Sequence, residues 1–172
     1  MDKCINIYLV GPMGVGKTTI GRKLARQLGM DFYDSDHEIE RCTGVDIPLI
    51  FEIEGEIGFR KRERKVIDDL TSLSGIILAA GGGAVLEKVN RKSLSENGLV
   101  IYLKASAERL MKRTGKDNNR PILQTEDPLS RIRCLLDERE PLYREVSDLI
   151  IDTDGLTVRQ IIHKITGHQV FK

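Results

Sequence analysis

Apolar residues in this chain fall into short unbroken runs, separated by stretches in which they recur every three or four positions. Ile5-Asn6-Ile7-Tyr8-Leu9-Val10, Ile76-Ile77-Leu78-Ala79, Leu99-Val100-Ile101-Tyr102-Leu103 and Leu149-Ile150-Ile151 are the unbroken runs. Continuous apolarity marks strands covered on both faces. Phe32 to Asp34 reads as a shorter strand. Over Lys17 to Leu28, Ile20, Leu24, Ala25 and Leu28 keep helical spacing, and Gly29 closes the segment. A helix opens at His37 to Cys42 and stops at Gly44. A highly charged helix is predicted from about Gly55 to Leu73, with Phe59, Val66, Ile67 and Leu70 on its inner side. Ser106 caps a helix reaching Arg113, with Glu108 in its first turn. Asp127-Pro128 starts another, through Leu135, Leu136 and Arg139, which Pro141 ends or kinks. Val158, Ile161, Ile162 and Ile165 mark a closing helix.

Five buried strands alternating with helices predict a single α/β domain over residues 1–172, a parallel sheet between two helical layers. In such sheets ligands bind at the carboxyl ends of the strands. One interval breaks the alternation. Thr114 to Glu126 has almost no apolar anchor and carries Gly, Lys, Asp, two Asn, Arg and Pro, the composition of a mobile loop kept for function.

Composition narrows the partners. The chain has 27 basic and 26 acidic residues, a net charge of +1, which offers no broad field for nucleic acid or an acidic membrane. No apolar stretch approaches the about 20 residues that cross a bilayer, and with the first strand so near Met1 no leader segment is expected. Cys4, Cys42 and Cys134 stand far apart without metal-ligand spacing, as free thiols of a reducing compartment do, so a cytoplasmic location is expected.

Gly11-Pro12-Met13-Gly14-Val15-Gly16-Lys17-Thr18 then supplies the chemistry. It fits G-x-x-x-x-G-K-[ST] between a strand and a helix, where glycines let backbone amides turn around phosphate oxygens. Gly14, Val15, Gly16 and Thr19 belong to this cradle, Lys17 adds a charge at the β- and γ-phosphates, and the Thr18 hydroxyl suits Mg²⁺. A glycine-rich turn that binds nothing would rarely carry all four fixed positions in that context.

A second group lies at other strand ends. Asp34 and Asp36, two apart, can face one crevice, one supporting Mg²⁺ and the other accepting a proton from a hydroxyl. Helix capping would account for Asp36 alone and leaves Asp34 unexplained. Gly81-Gly82-Gly83 directly follows a strand, at an entropic cost a plain turn seldom needs, and exposes backbone to a small ligand. Arg60 and Arg139 could each be solvated positions of charged helices. Arg120, in Asn119-Arg120-Pro121 of the polar loop, suits the charge on a transferring phosphoryl group.

Six landmarks in order resemble the shikimate kinases along nearly the whole chain. They are residues 11–18, Phe-Tyr-Asp-Ser-Asp (32–36), Gly-Phe-Arg-Lys-Arg-Glu (58–63), Gly-Gly-Gly (81–83), Asn-Arg-Pro (119–121) and Glu-Arg-Glu-Pro-Leu-Tyr (138–143). The resemblance implies a P-loop fold of the nucleoside-monophosphate-kinase type, five strands ordered 2-3-1-4-5, with substrate-binding helices over about 34–62 and a lid over about 114–126. It implies ATP-dependent phosphorylation of the shikimate 3-hydroxyl, in the route to chorismate and the aromatic amino acids; a monomer is the separate expectation. Carried over by position, Asp36 would hold ring hydroxyls and act as base. Arg60 and Arg139 would clamp the substrate carboxylate, beside Gly81 and Gly82. Asp34 would support Mg²⁺ through water, Arg113 would stack near adenine, and Arg120 would close on the phosphates. A planar guanidinium matches a carboxylate in fork geometry. Thr18 stands where the family often has serine, and Ile122 where it often has leucine. The adenine is expected near Asp152 to Gly155. Gluconate and nucleoside-monophosphate kinases share the loop and lid, but a nucleotide acceptor would require phosphate and base recognition. A non-catalytic binding module is weakened by intact Lys17, Asp36 and Arg120.

Overall fold

The computed structural model describes residues 5–114 and 125–169. Strands β1 (Asn6–Val10), β2 (Asp31–Asp34), β3 (Ile76–Ala79), β4 (Gly98–Lys104) and β5 (Leu149–Asp152) alternate with helices α1 (Lys17–Leu28), α2 (Ser35–Thr43), α3 (Ile47–Thr71), α4 (Lys88–Asn97), α5 (Ala107–Thr114), α6 (Pro128–Val146) and α7 (Val158–Thr166). All strand pairs are parallel and the sheet runs β2-β3-β1-β4-β5. The order reverses direction between β3 and β4 on either side of β1, which opens a crevice at the end of β1.

The central strands explain their own apolar runs. Along β1, Ile7 and Leu9 enter one core with Ile20, Leu24 and Ile165, while Tyr8 and Val10 enter the opposite core with Phe59, Ile67 and Leu94. In β4, Leu99, Ile101 and Leu103 face the first core, Val100 and Tyr102 the second. A strand buried on both sides has no polar face, so period-two alternation disappears.

Three elements differ from the sequence reading. α3 begins at Ile47 under an Asp46 cap, and only Gly55, with φ 68, interrupts it. Ile50 and Phe51, short of a full helical period, join the second core and hold this first segment in place. Pro141 does not end α6, which runs on to Val146. Val146 and Tyr143 are buried there, so packing outweighs the missing amide. α4, unnoticed in the sequence, has Leu94 as its one buried apolar side chain, too few to set a period. Apart from Thr114, which ends α5, and Thr125 and Glu126, the expected lid falls on residues outside those described.

Candidate active site

The loop between β1 and α1 follows from its glycines. Gly16 caps α1 with φ 106, a conformation open to a residue without a β-carbon. Lys17 Nζ donates to the Gly11 carbonyl at 2.7 Å and the Pro12 carbonyl at 2.9 Å, so the ammonium is folded over the loop. Arg113 Nη1, from the end of α5, donates to the carbonyls of Val15 (2.8 Å) and Gly14 (3.3 Å). A crevice of about 420 Å³ starts at this loop, passes Thr18, Asp34 and Asp36, and ends at Gly81 and Gly82. Its other rim is apolar, with Leu156, Val158 and Ile161.

Asp34 does two things at once. One oxygen accepts from the Thr18 hydroxyl at 2.6 Å, and the other accepts from the amides of Asp36 (3.1 Å) and His37 (3.2 Å). Asp34 is therefore the cap of α2, and Asp36 lies inside the first turn. This corrects the expectation that capping could account for Asp36 and not for Asp34. The reason is geometric: the helix begins two residues earlier than its apolar pattern shows. A hydroxyl and a carboxylate 2.6 Å apart beside a phosphate loop are the oxygen donors Mg²⁺ takes when phosphates and water complete its shell. The residues present fit that ion.

The glycine triplet after β3 is where the distant parts meet. A β-carbon on Gly81 would stand 2.8 Å from both Asp36 Oδ1 and Glu63 Oε1. One on Gly82 would stand 3.2 Å from the Met13 amide nitrogen and 3.7 Å from Arg139 Nη1. One on Gly83 would run into the Arg60 guanidinium, 2.7 Å from its Nη1. Each missing side chain makes room for a functional one. The triplet thus joins α2, α3, α6 and the phosphate loop within a single turn.

Burial sets the charges there. Arg139 is only 4 % exposed, not the surface position its helix suggested. Arg60 is largely buried on α3, with Nη1 donating to Glu63 Oε2 at 2.7 Å and Nη2 to Glu56 Oε1 at 3.2 Å. Burial disfavours the Arg60 cation, but Glu63 and Glu56 more than reverse this and its pKa ends up raised. Glu63 itself is 0 % exposed. Burial pushes its carboxyl up to about 7, with Asp36 adding to the rise and Arg60 and Arg139 opposing it. Glu63 Oε1, Arg60 Nε and Arg139 Nε have no hydrogen-bond partner among the described residues. Buried polar atoms left in this state, around a polar crevice, mark a place where a polar ligand completes the bonding.

The family is decided by comparison. A model of the shikimate kinase family matches residues 13–168. A shikimate kinase of Thiobacillus denitrificans is 61 % identical over 97 % of this chain and 91 % of its own length, and one of Nitrosococcus oceani is 59 % identical over 93 % and 84 %. A solved structure of the Acinetobacter baumannii shikimate kinase in complex with shikimate superposes with a TM-score of 0.92 at 53 % identity, covering 94 % of this chain and 90 % of that one. This chain belongs to the shikimate kinase family. It is an ATP-dependent kinase on a P-loop fold. A gluconokinase of Sinorhizobium meliloti superposes at a TM-score of 0.62 and 16 % identity, a likeness of fold alone.

For a shikimate kinase, the structure gathers Lys17, Thr18, Asp34, Asp36, Gly81 and Gly82 along one crevice. Arg60 and Arg139 stand against its inner end, and Arg113 at its outer end. Arg120 lies outside the described residues. Three residues at the site escaped the sequence reading. Glu63 ends the segment 58–63, three positions after Arg60, but a glutamate in a run of charges reads as solvated. Ser35 and Tyr143 are fully buried against the triplet, and nothing in their spacing signals it. Leu156, just past the Asp152–Gly155 segment where adenine was expected, adds apolar surface to the crevice.

Proposed function

We propose that this crevice transfers the γ-phosphoryl group of ATP to the 3-hydroxyl of shikimate, giving shikimate 3-phosphate and ADP. The observation that supports this most is the convergence on three glycines of a phosphate-loop amide, two buried arginines and a carboxylate pair. In this reading the amides of residues 14–19 and Lys17 hold the triphosphate. Thr18 and Asp34 would hold Mg²⁺, which when bound neutralises charge on the β- and γ-phosphate oxygens. Arg60 and Arg139 bind the ring carboxylate in fork geometry, and Glu63 keeps Arg60 in place. Gly81 and Gly82 give the ring access to backbone.

Asp36 binds ring hydroxyls and accepts the proton of the 3-hydroxyl. The oxygen so freed forms its bond to the γ-phosphorus as the bond from that phosphorus to the β,γ-bridging oxygen breaks. The proton stays on Asp36 and the displaced charge on ADP. No residue is phosphorylated on the way; the chain's part is to align the two oxygens and screen their charge. Arg113 lies beside the adenine with Leu156, and Arg120 closes on the phosphates. The enzyme works as a monomer in the cytoplasm, where the exposed thiols of Cys42 and Cys134 stay reduced.

ADP release measured with shikimate, gluconate and nucleoside monophosphates in turn is the test. Release driven by shikimate alone is expected. Release with gluconate or a monophosphate and none with shikimate would overturn the acceptor assignment. Binding of both ligands without ADP would reduce the chain to a binding module.

A further inference from the structure

The glycine triplet is held from two sides by residues that have no role in the reading above. Gly81 donates its amide to Ser35 Oγ at 2.8 Å, and Ser35 is 0 % exposed. Tyr143, equally buried, donates its hydroxyl to the Gly82 carbonyl. The tyrosine ring is fixed in turn by stacking on Tyr102 of β4, with centroids 5.0 Å apart. The remaining carbonyls of the turn accept from inside it, Gly81 from the Ala84 amide and Gly83 from the Leu86 amide. Gly82 lies against Arg139 and Gly83 against Arg60, so this part of the turn borders both arginines.

A run of three glycines has no side chain to fix its peptide planes. Its aim must come from outside. Tyr143 sits four residues after Arg139 on α6 and so shares its face, while Ser35 lies between Asp34 and Asp36 on the first turn of α2. The elements that supply the acid and the arginine therefore also supply the two pins. Burial pushes the Tyr143 hydroxyl up to about 12, and Arg139 beside it pulls the other way. It remains a donor across the working pH range.

We infer that Ser35 and Tyr143 are positioning residues for the acceptor, pinning the glycine triplet so that its backbone meets the bound hydroxy acid. The inference rests on the acceptor site proposed above and assigns that site two further residues. Both hydrogen bonds end on the triplet and not on the nucleotide loop, so the effect is expected on the acceptor.

The test is steady-state kinetics of Tyr143→Phe and Ser35→Ala with each substrate varied in turn, alongside thermal midpoints. Loss of one buried hydrogen bond is expected to raise KM for shikimate about three- to tenfold. KM for ATP should stay unchanged and kcat within about twofold. A variant that is merely less stable would lower the midpoint and leave the shikimate KM alone, and that result would overturn the inference. Equal rises in both KM values would overturn it as well. If Ser35→Ala does not fold, Tyr143→Phe, which removes a single oxygen, decides by itself. A wild-type enzyme that phosphorylates shikimate beside a Tyr143→Phe variant with unchanged KM removes this inference alone. A wild type inactive on shikimate removes the acceptor site and the inference with it.

Discussion

The two ends of the crevice are built on opposite plans. The nucleotide end is one continuous loop, residues 11–18, whose working groups are backbone amides held by local conformation. The acceptor end is assembled from α2, α3, the turn after β3, and α6, so Asp36 and Arg139 meet across a hundred residues of chain. A local device tolerates change elsewhere in the fold and fails when its own residues change. An assembled one depends on buried polar side chains holding one another, and fails in graded steps. Substitutions at the two ends should therefore differ in size and in which substrate they affect.

The largest effect is expected at the loop. Lys17→Ala removes a preorganised cation from the site of developing charge, and turnover should fall at least about 10³-fold. ADP release under saturating substrates checks this; a loss under tenfold would mean the backbone alone carries the phosphates. Next comes the group between the two ends. Asp36→Asn keeps the shape and removes the proton acceptor, with an expected loss of at least about 10²-fold in kcat. Near-wild-type turnover in this variant would take the base role away from Asp36.

The arginines sharpen the contrast further. Arg139→Ala, or Arg60→Ala, deletes a charge-assisted contact worth about 1.5–3 kcal/mol. KM for shikimate should rise roughly 10- to 150-fold while KM for ATP holds. An unchanged shikimate KM would contradict the clamp, and parallel rises for both substrates would show that the two ends are not separable.

The same contrast explains what could be read in advance. Residues 11–18 were legible because every requirement is written in adjacent positions. So were the central strands, since burial on both faces leaves an unbroken apolar run such as Leu99 to Leu103. Arg60, Arg139 and Glu63 were not legible from pattern, because a buried ion on a charged helix looks like a solvated one until the opposing turn is known. Only the resemblance of whole landmarks pointed to the two arginines, and it gave no role to Glu63. Asp34 escaped as a cap because α2 starts on polar residues, Ser35 and Asp36, that carry no hydrophobic phase. The first segment of α3 was hidden by Gly55, which breaks the period the eye follows.

The last effect, at Glu63, falls on stability instead of kinetics, and it measures what assembling the acceptor end costs. Its carboxyl sits near 7 in the folded protein, above the 4.5 of an ordinary glutamate. Between those values the folded chain holds a proton that the unfolded chain has released. Stability must then fall as pH rises through this window, and the penalty is complete above about 7. Its full size is of order 3 kcal/mol, or several degrees of melting temperature for a chain of this length. Glu63→Gln keeps the shape without the ionisation. Melting of both proteins from pH 4.5 to 8 should show the wild type losing ground to the variant as pH rises. A difference that stays flat would mean the carboxylate is paired well enough to ionise freely, and the buried polar atoms around Gly81 would then be balanced without a ligand.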